Sequence, residues 1–203
     1  IVQENKEKVK YLDIKNIEEG IDIDTQEEYR RLIGKLQGGS MYTVGIITSS
    51  DKGSKGERVD ESGQLIKEIV ERYNMKVEKY IILPDDKETL EKEMKNMADN
   101  LKVNLLLTTG GTGFSKRDVT PEATKAVIER EASGVAEAAR YYSLSITPRA
   151  MLSRAICGIR GETVIFNLPG SKKAVKEELE YIIDTLIHGI DILLGKDGEC
   201  ARV

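Results

Sequence analysis

The feature that most constrains the fold of this sequence is a regular alternation, from Tyr42 onward, of short apolar runs and longer segments of helical period. The runs are rich in β-branched residues and predict strands over residues 43–48, 77–83, 103–108 and 163–168. Residues 62–73, 88–101 and a last segment from near Ser171 to Leu194 carry apolar residues three and four positions apart, which predicts amphipathic helices. Strands that alternate with helices favour an α/β fold, here a three-layer α/β/α domain with a mostly parallel sheet.

The composition excludes several classes of protein. Of the 203 residues, 39% are hydrophobic and 33% are charged, and none of the apolar runs approaches the length of about 20 residues that a membrane span requires. A net charge of -4 provides no basic field for nucleic acid, so we expect a small ligand held by a local cluster of donors. Cys157, Cys200 and the single histidine, His188, are too few for a structural zinc site or a disulfide framework, which favours a cytoplasmic protein without a Ser/His/Asp triad.

Residues 1–40 differ from the rest of the chain. They are dense in charge and end in a Gly-Gly-Ser stretch that is typical of a linker, so we expect one domain over residues 41–203 and an extension before it. The chain starts at Ile1 and not at Met, so we expect it to be a piece of a longer protein.

The loops that follow the predicted strands are the expected binding site, because ligands of open parallel sheets bind beyond the carboxyl ends of the strands. After the third strand, Gly110, Gly111 and Gly113 surround Thr112 and leave backbone amides open to a phosphate group. The pattern is neither a Walker A loop nor a dinucleotide fingerprint. It predicts a phosphate cradle, with a plain chain reversal as the alternative.

Two carboxylates in these loops are candidate ligands for Mg²⁺. Asp118 follows Lys116 and Arg117, and carboxylates commonly hold Mg²⁺ against phosphate oxygens. We expect Thr120 to cap the helix that starts at Pro121, which leaves Asp118 free for a ligand. Asp85 follows the second strand and is the second candidate, with a turn aspartate as the alternative.

The loop after the fourth strand predicts a second anion site. Asn167, Pro169, Gly170 and Ser171 lead into the last helix, whose amino end suits a negative group, although a plain turn would also explain them. Two anion sites on one edge suit a reaction that joins two phosphorylated partners. Asp51, in the loop after the first strand, is a further candidate binding residue.

Five blocks of this sequence together resemble the molybdopterin adenylyltransferase family. That family includes the Mog-type bacterial enzymes and the G domains of plant and animal molybdenum cofactor proteins such as gephyrin. The blocks are residues 47–63 (ITSSDKGSKGERVDESG), 83–86 (LPDD), 108–124 (TTGGTGFSKRDVTPEAT), 152–161 (LSRAICGIRG) and 167–175 (NLPGSKKAV). The resemblance covers about residues 41–195.

The resemblance implies a Mg²⁺-dependent transfer of AMP from ATP to the terminal phosphate of molybdopterin, with release of pyrophosphate. It also implies a homotrimer and a molybdate-insertion protein as a downstream partner. By position in the blocks, it implies that Asp118 is essential, that Asp85 also matters, and that Ser153 binds the pterin. The Gly110–Gly113 block would hold either the nucleotide phosphates or the phosphate of the pterin.

Three alternatives remain at this stage. The chain could be a molybdate-insertion paralogue of the same fold, or a molybdopterin-binding carrier or scaffold without catalysis, although Asp118 and Asp85 argue for catalysis. Residues 20–32 also resemble the tail of nucleotidyltransferases that act on molybdopterin. The extension is therefore either a charged leader or the end of a preceding nucleotidyltransferase-like domain.

Overall fold

Six strands form a single sheet in the computed structural model, which describes residues 42–196. The strands are β1 (Tyr42–Ser49), β2 (Met75–Leu83), β3 (Leu105–Thr109), β4 (Arg130–Glu131), β5 (Cys157–Arg160) and β6 (Thr163–Leu168). Their order across the sheet is β2-β1-β3-β6-β5-β4. Strands β2, β1, β3 and β6 are parallel to one another, and β5 pairs antiparallel with both β6 and β4. The predicted extension over residues 1–40 and Cys200 lie outside the described residues.

Helices connect most of the strands, and four of the six described α-helices begin at a side-chain cap. They are α1 (Asp51–Ser54), α2 (Glu61–Arg72), α3 (Lys87–Lys95), α4 (Thr120–Val127), α5 (Ser133–Leu144) and α6 (Lys172–Leu193). A π-helical turn at Asn96–Asn100 extends α3, and a 3-10 turn at Pro148–Leu152 follows α5. Asp60, Asp86 and Ser171 accept hydrogen bonds from the first turns of α2, α3 and α6, respectively. None of the described helices combines the length and apolar character needed to span a membrane.

Each face of the sheet carries its own hydrophobic core, which gives the three layers. Leu105 and Leu107 of β3 belong to the core that packs beneath α2, α5 and α6. Leu106, between them in sequence, belongs to the opposite core beneath α3 and α4. Cys157 lies in the first core, where burial raises the pKa of its thiol to about 12, so it is no thiolate nucleophile at neutral pH.

The structure confirms the predicted fold class and the four predicted strands, with bounds that differ by at most two residues. It adds β4, β5 and α5, which the sequence pattern does not predict. Strands of two and four residues are too short to show an alternating pattern. Helix α5 buries only Ala136, Ala139 and Ser143, so its buried face carries little apolar signal.

Candidate active site

A cavity of about 560 Å³ opens at the carboxyl ends of the parallel strands, where the loops after β1, β2, β3 and β6 meet. Six of the residues predicted from sequence line it: Asp85, Gly110, Gly111, Asp118, Gly170 and Ser171. The remaining lining residues are Thr48, Ser49, Ser50, Gly53, Arg58, Val59, Asp60, Glu61, Ser62, Thr109 and Lys172. The predicted site loops therefore form one cavity.

The glycine-rich loop passes so close to its neighbours that side chains are excluded. Gly110 has φ +90°, and a Cβ on it would lie 2.4 Å from the carbonyl oxygen of Ser49. Gly111 has φ +64°, and a Cβ there would lie 2.5 Å from Oγ1 of Thr120. Both the positive φ angles and the close contacts require glycine at these positions.

The prediction that Thr120 caps the following helix is wrong. Helix α4 begins at Thr120 itself, after Val119, which provides no side-chain cap. The Thr120 hydroxyl instead donates to the carbonyl oxygen of Gly110 at 2.9 Å. Thr120 is therefore used to hold the glycine-rich loop against the start of α4.

Asp85 is tied firmly to the loop after β1. Its Oδ1 accepts a hydrogen bond from the Ser49 hydroxyl at 2.7 Å, and its Oδ2 accepts one from the backbone amide of Asp51 at 3.0 Å. The amide of Asp85 in turn donates to Oδ1 of Asp51 at 3.1 Å. Both oxygens of Asp85 retain lone pairs for a ligand, because a carboxylate oxygen can accept more than one bond.

Asp51 connects that pair to the loop after β3 and does not line the cavity. The Arg117 guanidinium donates to both of its oxygens, with Nε–Oδ2 at 3.0 Å and Nη2–Oδ1 at 2.8 Å. Arg117 holds the pKa of the Asp51 carboxyl below its usual range through these bonds. The structure thus places Asp51 as a link between loops.

Asp118 is held less tightly than Asp85. Its Oδ2 accepts one hydrogen bond, from the backbone amide of Ser115 at 2.9 Å, and its amide donates back to the carbonyl oxygen of Ser115. Among residues 42–196, no hydrogen bond to its Oδ1 is found. A Cβ on Gly113 would lie 2.9 Å from Oδ2, so the carboxylate lies directly against the glycine-rich loop.

The donor set of the cavity fits a magnesium ion that is shared with a substrate. Within the described part of the chain, no cluster of three or more His, Cys, Asp or Glu residues could enclose a metal ion. Mg²⁺ commonly uses one or two carboxylates, together with waters and phosphate oxygens. Asp85 and Asp118 provide two carboxylates on one cavity, which matches that pattern and not that of a closed protein cage.

The amino ends of α2 and α6 line another part of the cavity. Ser62, in the first turn of α2, donates to the carbonyl oxygen of Gly170 at 3.0 Å, just before α6. Lys172 of α6 and Glu61 of α2 form an ion pair at 3.4 Å across the same junction. Helix amino ends carry partial positive charge, so this part of the cavity favours an anionic group.

Tyr80 of β2 holds Asp60, the N-cap residue of α2, in place. The Tyr80 hydroxyl donates to Oδ2 of Asp60, and burial together with the Asp60 charge raises the pKa of Tyr80. Asp60 therefore keeps both oxygens engaged, one by Tyr80 and one by the Gly63 amide.

A second, more open depression of about 490 Å³ adjoins the cavity. Its lining residues are Phe114, Ser115, Lys116, Asp118, Val119, Glu122 and Arg154. The Phe114 side chain is 70% exposed there. Asp118 lines both depressions, so its carboxylate lies on the wall between them.

Several predicted residues do not reach the cavity. Asn167 is fully buried, where its amide donates to the hydroxyls of Thr108 and Thr124 and accepts from the Ile156 amide, so the structure does not support direct contact with an anion. Thr112 is buried in the glycine-rich loop beside Gly113, and neither lines the cavity.

Pro169 and Ser153 also lie away from the cavity lining, in different settings. The carbonyl oxygen of Pro169 accepts from the Thr109 hydroxyl at 2.7 Å, which holds the loop after β6 against the end of β3. Ser153 ends the 3-10 turn, half-buried, one residue before Arg154 of the second depression. His188 is exposed on α6 and lines neither depression.

Sequence reasoning missed part of the loop after β1. Residues 58–62 line the cavity, and the signal that could have identified them is Asp60, an N-cap residue directly before a predicted helix. The sequence also does not predict the contacts of Arg154 and Arg117, because nothing near them in the chain indicates which residues they meet.

Comparisons with known proteins identify the family of the chain. Residues 45–188 match the sequence profile of a family described as "Probable molybdopterin binding domain". The chain is 40% identical to a molybdopterin adenylyltransferase of Helicobacter pylori over 154 residues, which is 75% of this chain and 88% of that protein. It is also 40% identical to gephyrin of Dictyostelium discoideum, over 76% of this chain but only 23% of gephyrin. The crystal structure of the molybdopterin biosynthesis enzyme MoaB of Thermus thermophilus superposes with a TM-score of 0.73, at 42% identity, covering 78% of this chain and all of that one.

Proposed function

The chain belongs to this molybdopterin-binding family of molybdenum cofactor biosynthesis and is an enzyme of its adenylyltransferase class, and from that premise we propose how its reaction proceeds. AMP is transferred from ATP to the terminal phosphate of molybdopterin, and pyrophosphate is released. The observation that carries this proposal is the position of Asp118 on the wall between two depressions, because the reaction must bring two phosphorylated substrates to one point.

The two depressions differ in chemistry, and we propose one substrate for each. The larger cavity joins the glycine-rich loop to the amino ends of two helices, an arrangement that suits the triphosphate of ATP. The open depression presents the exposed ring of Phe114 beside Lys116 and lies next to Ser153, which suits a flat pterin with an anionic tail.

The transfer needs no covalent enzyme intermediate. An oxygen of the molybdopterin phosphate attacks the α-phosphorus of ATP and forms the new P–O bond, while the bond from that phosphorus to the bridging oxygen breaks and pyrophosphate leaves with the electron pair. Amides of the loop at Gly110 and Gly111 and the amino end of α6 are placed to stabilise charge on phosphate oxygens. Positioning and electrostatic stabilisation therefore account for the catalysis.

Asp85 and Asp118 would hold Mg²⁺, which when bound supplies positive charge against the phosphate oxygens. Asp85 is oriented by Ser49 and by the Asp51 amide, so its carboxylate is fixed before substrates bind. Asp118 keeps Oδ1 open for this role.

A turnover assay tests the proposal. Purified protein is supplied with ATP, Mg²⁺ and molybdopterin, and adenylylated pterin is scored by mass, with Asp118→Asn beside the wild type. Product from the wild type alone supports the reaction and the role of Asp118. Tight binding of molybdopterin without product would replace the proposal with a non-catalytic carrier.

The pterin assignment has a test of its own. Within residues 42–196, the Ser153 hydroxyl accepts only a long bond from the Ala155 amide, at 3.4 Å, so removing the hydroxyl should cost the fold little. We expect Ser153→Ala to raise KM for molybdopterin more than KM for ATP. An unchanged KM for molybdopterin would place the pterin elsewhere.

Self-association as a homotrimer is part of the same proposal. Exposed apolar side chains on α5, the 3-10 turn and α6 support it, since large exposed apolar groups on neighbouring elements are typical of interfaces. The most exposed on these elements are Tyr141, Met151 and Ile192. Sedimentation equilibrium measures the assembly mass, and a monomer at assay concentration would overturn this part.

A further inference from the structure

Arg154 contacts three acceptors around the loop that carries Asp118. Its Nε donates to the carbonyl oxygen of Gly113 at 2.7 Å, and its Nη2 donates to the carbonyl oxygen of Asp118 at 2.6 Å. Its Nη1 pairs with the carboxylate of Glu122 in the first turn of α4. The backbone amide of Arg154 also donates to the carbonyl oxygen of Thr112 at 2.9 Å.

Two of these acceptors are the two ends of one loop. Gly113 and Asp118 bracket residues 114–117, all of which are exposed. Inside the loop, the hydrogen bonds run mainly between Ser115 and Asp118. The guanidinium therefore fixes the distance between the loop ends, and through them the direction in which the Asp118 carboxylate leaves the backbone.

We propose that Arg154 is the positioning residue for Asp118, and that it sets the catalytic geometry by joining Gly113, Asp118 and the start of α4 through one planar group. This inference rests on the proposed adenylyl transfer. It assigns Arg154 an effect on the chemical step, since a displacement of about 1 Å at a reacting group can cost on the order of 100-fold in rate.

Lysine cannot replace arginine in this role. A guanidinium has five N–H donors in a rigid plane, of which Arg154 directs three at acceptors from two different elements. An ammonium keeps the charge but concentrates its donors on one atom, so it cannot span both carbonyl oxygens and Glu122 with the same geometry. Arg154→Lys therefore removes the link between the three acceptors and preserves the positive charge.

Arg160 offers a matched control. Its Nε and Nη2 donate to the two oxygens of Asp99, and its Nη1 donates to the carbonyl oxygen of Val127, so it also makes three side-chain bonds. It ends β5 opposite Thr163, the first residue of β6, and thus lies at the other end of the sheet from the cavity. Arg160→Lys costs comparable hydrogen bonding without touching the loop of Asp118.

The first measurement is steady-state kinetics of the wild type, Arg154→Lys and Arg160→Lys with ATP, Mg²⁺ and molybdopterin. We expect Arg154→Lys to lower kcat by about 10- to 100-fold because it misplaces Asp118, and to change KM for ATP less than about threefold. Arg154 also lines the depression assigned to molybdopterin, so KM for molybdopterin should rise by a smaller factor than kcat falls. Arg160→Lys should keep wild-type kcat. A rise in KM with kcat unchanged would make Arg154 a substrate-binding residue and overturn the proposal, as would equal losses in both variants.

The second measurement needs no turnover. Lys116 and Arg117 are exposed trypsin sites within the loop, and cleavage of a folded protein follows local opening. We expect cleavage after these residues to be at least about fivefold faster in Arg154→Lys than in Arg160→Lys at matched thermal stability. Equal cleavage rates would show that Arg154 does not order the loop.

The two measurements separate failure of this inference from failure of the proposed function. A wild-type protein that makes no adenylylated pterin refutes the function, while the trypsin result still decides whether Arg154 orders the loop. Wild-type turnover together with unchanged kcat in Arg154→Lys refutes the inference alone.

Discussion

Asp85 and Asp118 line the same cavity but are held in opposite ways. Asp85 accepts from the Ser49 hydroxyl and the Asp51 amide, one bond to each carboxylate oxygen. Asp118 accepts one bond, from Ser115, and its other oxygen has no protein donor among the described residues. The difference indicates that Asp85 both holds the loops of the cavity together and can bind a ligand, whereas Asp118 is available mainly to a bound ligand.

The anchors of the two carboxylates also lie at different distances along the chain. Asp85 is fixed by the loop after the neighbouring strand β1, within 36 residues. Asp118 depends on Arg154, which comes from beyond α5 and the 3-10 turn. The Asp118 carboxylate, which has a single local hydrogen bond from Ser115, is therefore oriented through its backbone by a side chain from a separate part of the fold.

The largest effect is expected for Asp118→Asn. Loss of this carboxylate should lower turnover by at least about 100-fold, because it removes a ligand for the Mg²⁺ that would stabilise charge on the reacting phosphates. Thermal stability should stay near that of the wild type, since Asn can still accept from the Ser115 amide. Asp99→Asn, an exposed carboxylate paired with Arg160, is the control for removing a charge elsewhere. Near-normal turnover at the Mg²⁺ concentration that half-saturates the wild type would refute the metal role of Asp118.

Asp85→Asn should lower both turnover and stability, which would sharpen the contrast. An amide has one acceptor oxygen where the Ser49 hydroxyl and the Asp51 amide need two, so one donor loses its partner. The unsatisfied group should cost about 1–3 kcal/mol in the free energy of unfolding, measured by denaturant titration. A stability equal to that of Asp118→Asn would break the comparison.

Glu178 extends the comparison to a carboxylate outside the site. It is 4% exposed on α6, accepts from the Ser143 hydroxyl at 2.8 Å, and has its pKa raised to about 7 by burial. Between pH 4.5 and 7 the folded state binds more protons than the unfolded chain, so stability falls as pH rises through this range.

Glu178→Gln should therefore unfold at a higher denaturant concentration than the wild type at pH 8. The difference should disappear below about pH 4.5, where the wild-type carboxyl is protonated in both states. Denaturant titrations across this range provide the measurement. A wild type that gains stability between pH 5 and 8 relative to the variant would contradict the assignment.

The smallest effect is expected for Arg117→Ala. The Arg117–Asp51 pair is exposed, and such pairs contribute little and are screened by salt. Turnover should fall by less than about threefold at low ionic strength and should match the wild type at high ionic strength. A loss as large as that of Arg154→Lys would mean that the exposed arginine also orients a catalytic carboxylate.

Much of the fold was predictable because it depends on short-range patterns. Runs such as TVGIIT are buried on both faces of the sheet, so β-branched and apolar content alone identifies them. Helices α2 and α6 carry strong apolar stripes and N-cap residues. Helix α5 was not predictable, because the side chains it buries are small and because it packs against another helix, α6.

The candidate site was predictable only where loop position determines it. Gly110 and Gly111, as well as Asp85 and Asp118, lie in loops that follow parallel strands, so the sheet brings them to one edge. Asn167 follows the same rule in sequence, but its register opposite Thr108 turns its amide into the interior. A side chain at a strand end can point to either face, and only the pairing of strands decides which.

The sequence by itself determined the α/β architecture, the edge at which the loops meet and the family, since these follow from periodicity and contiguous motifs. Only the tertiary structure decided how the acidic residues are held. The bond from Thr120 to Gly110, the link of Asp51 to Arg117 and the three bonds of Arg154 join segments between 10 and 66 residues apart. The packing of the chain decides such contacts, because the local sequence around a polar side chain does not indicate which distant acceptor it will contact.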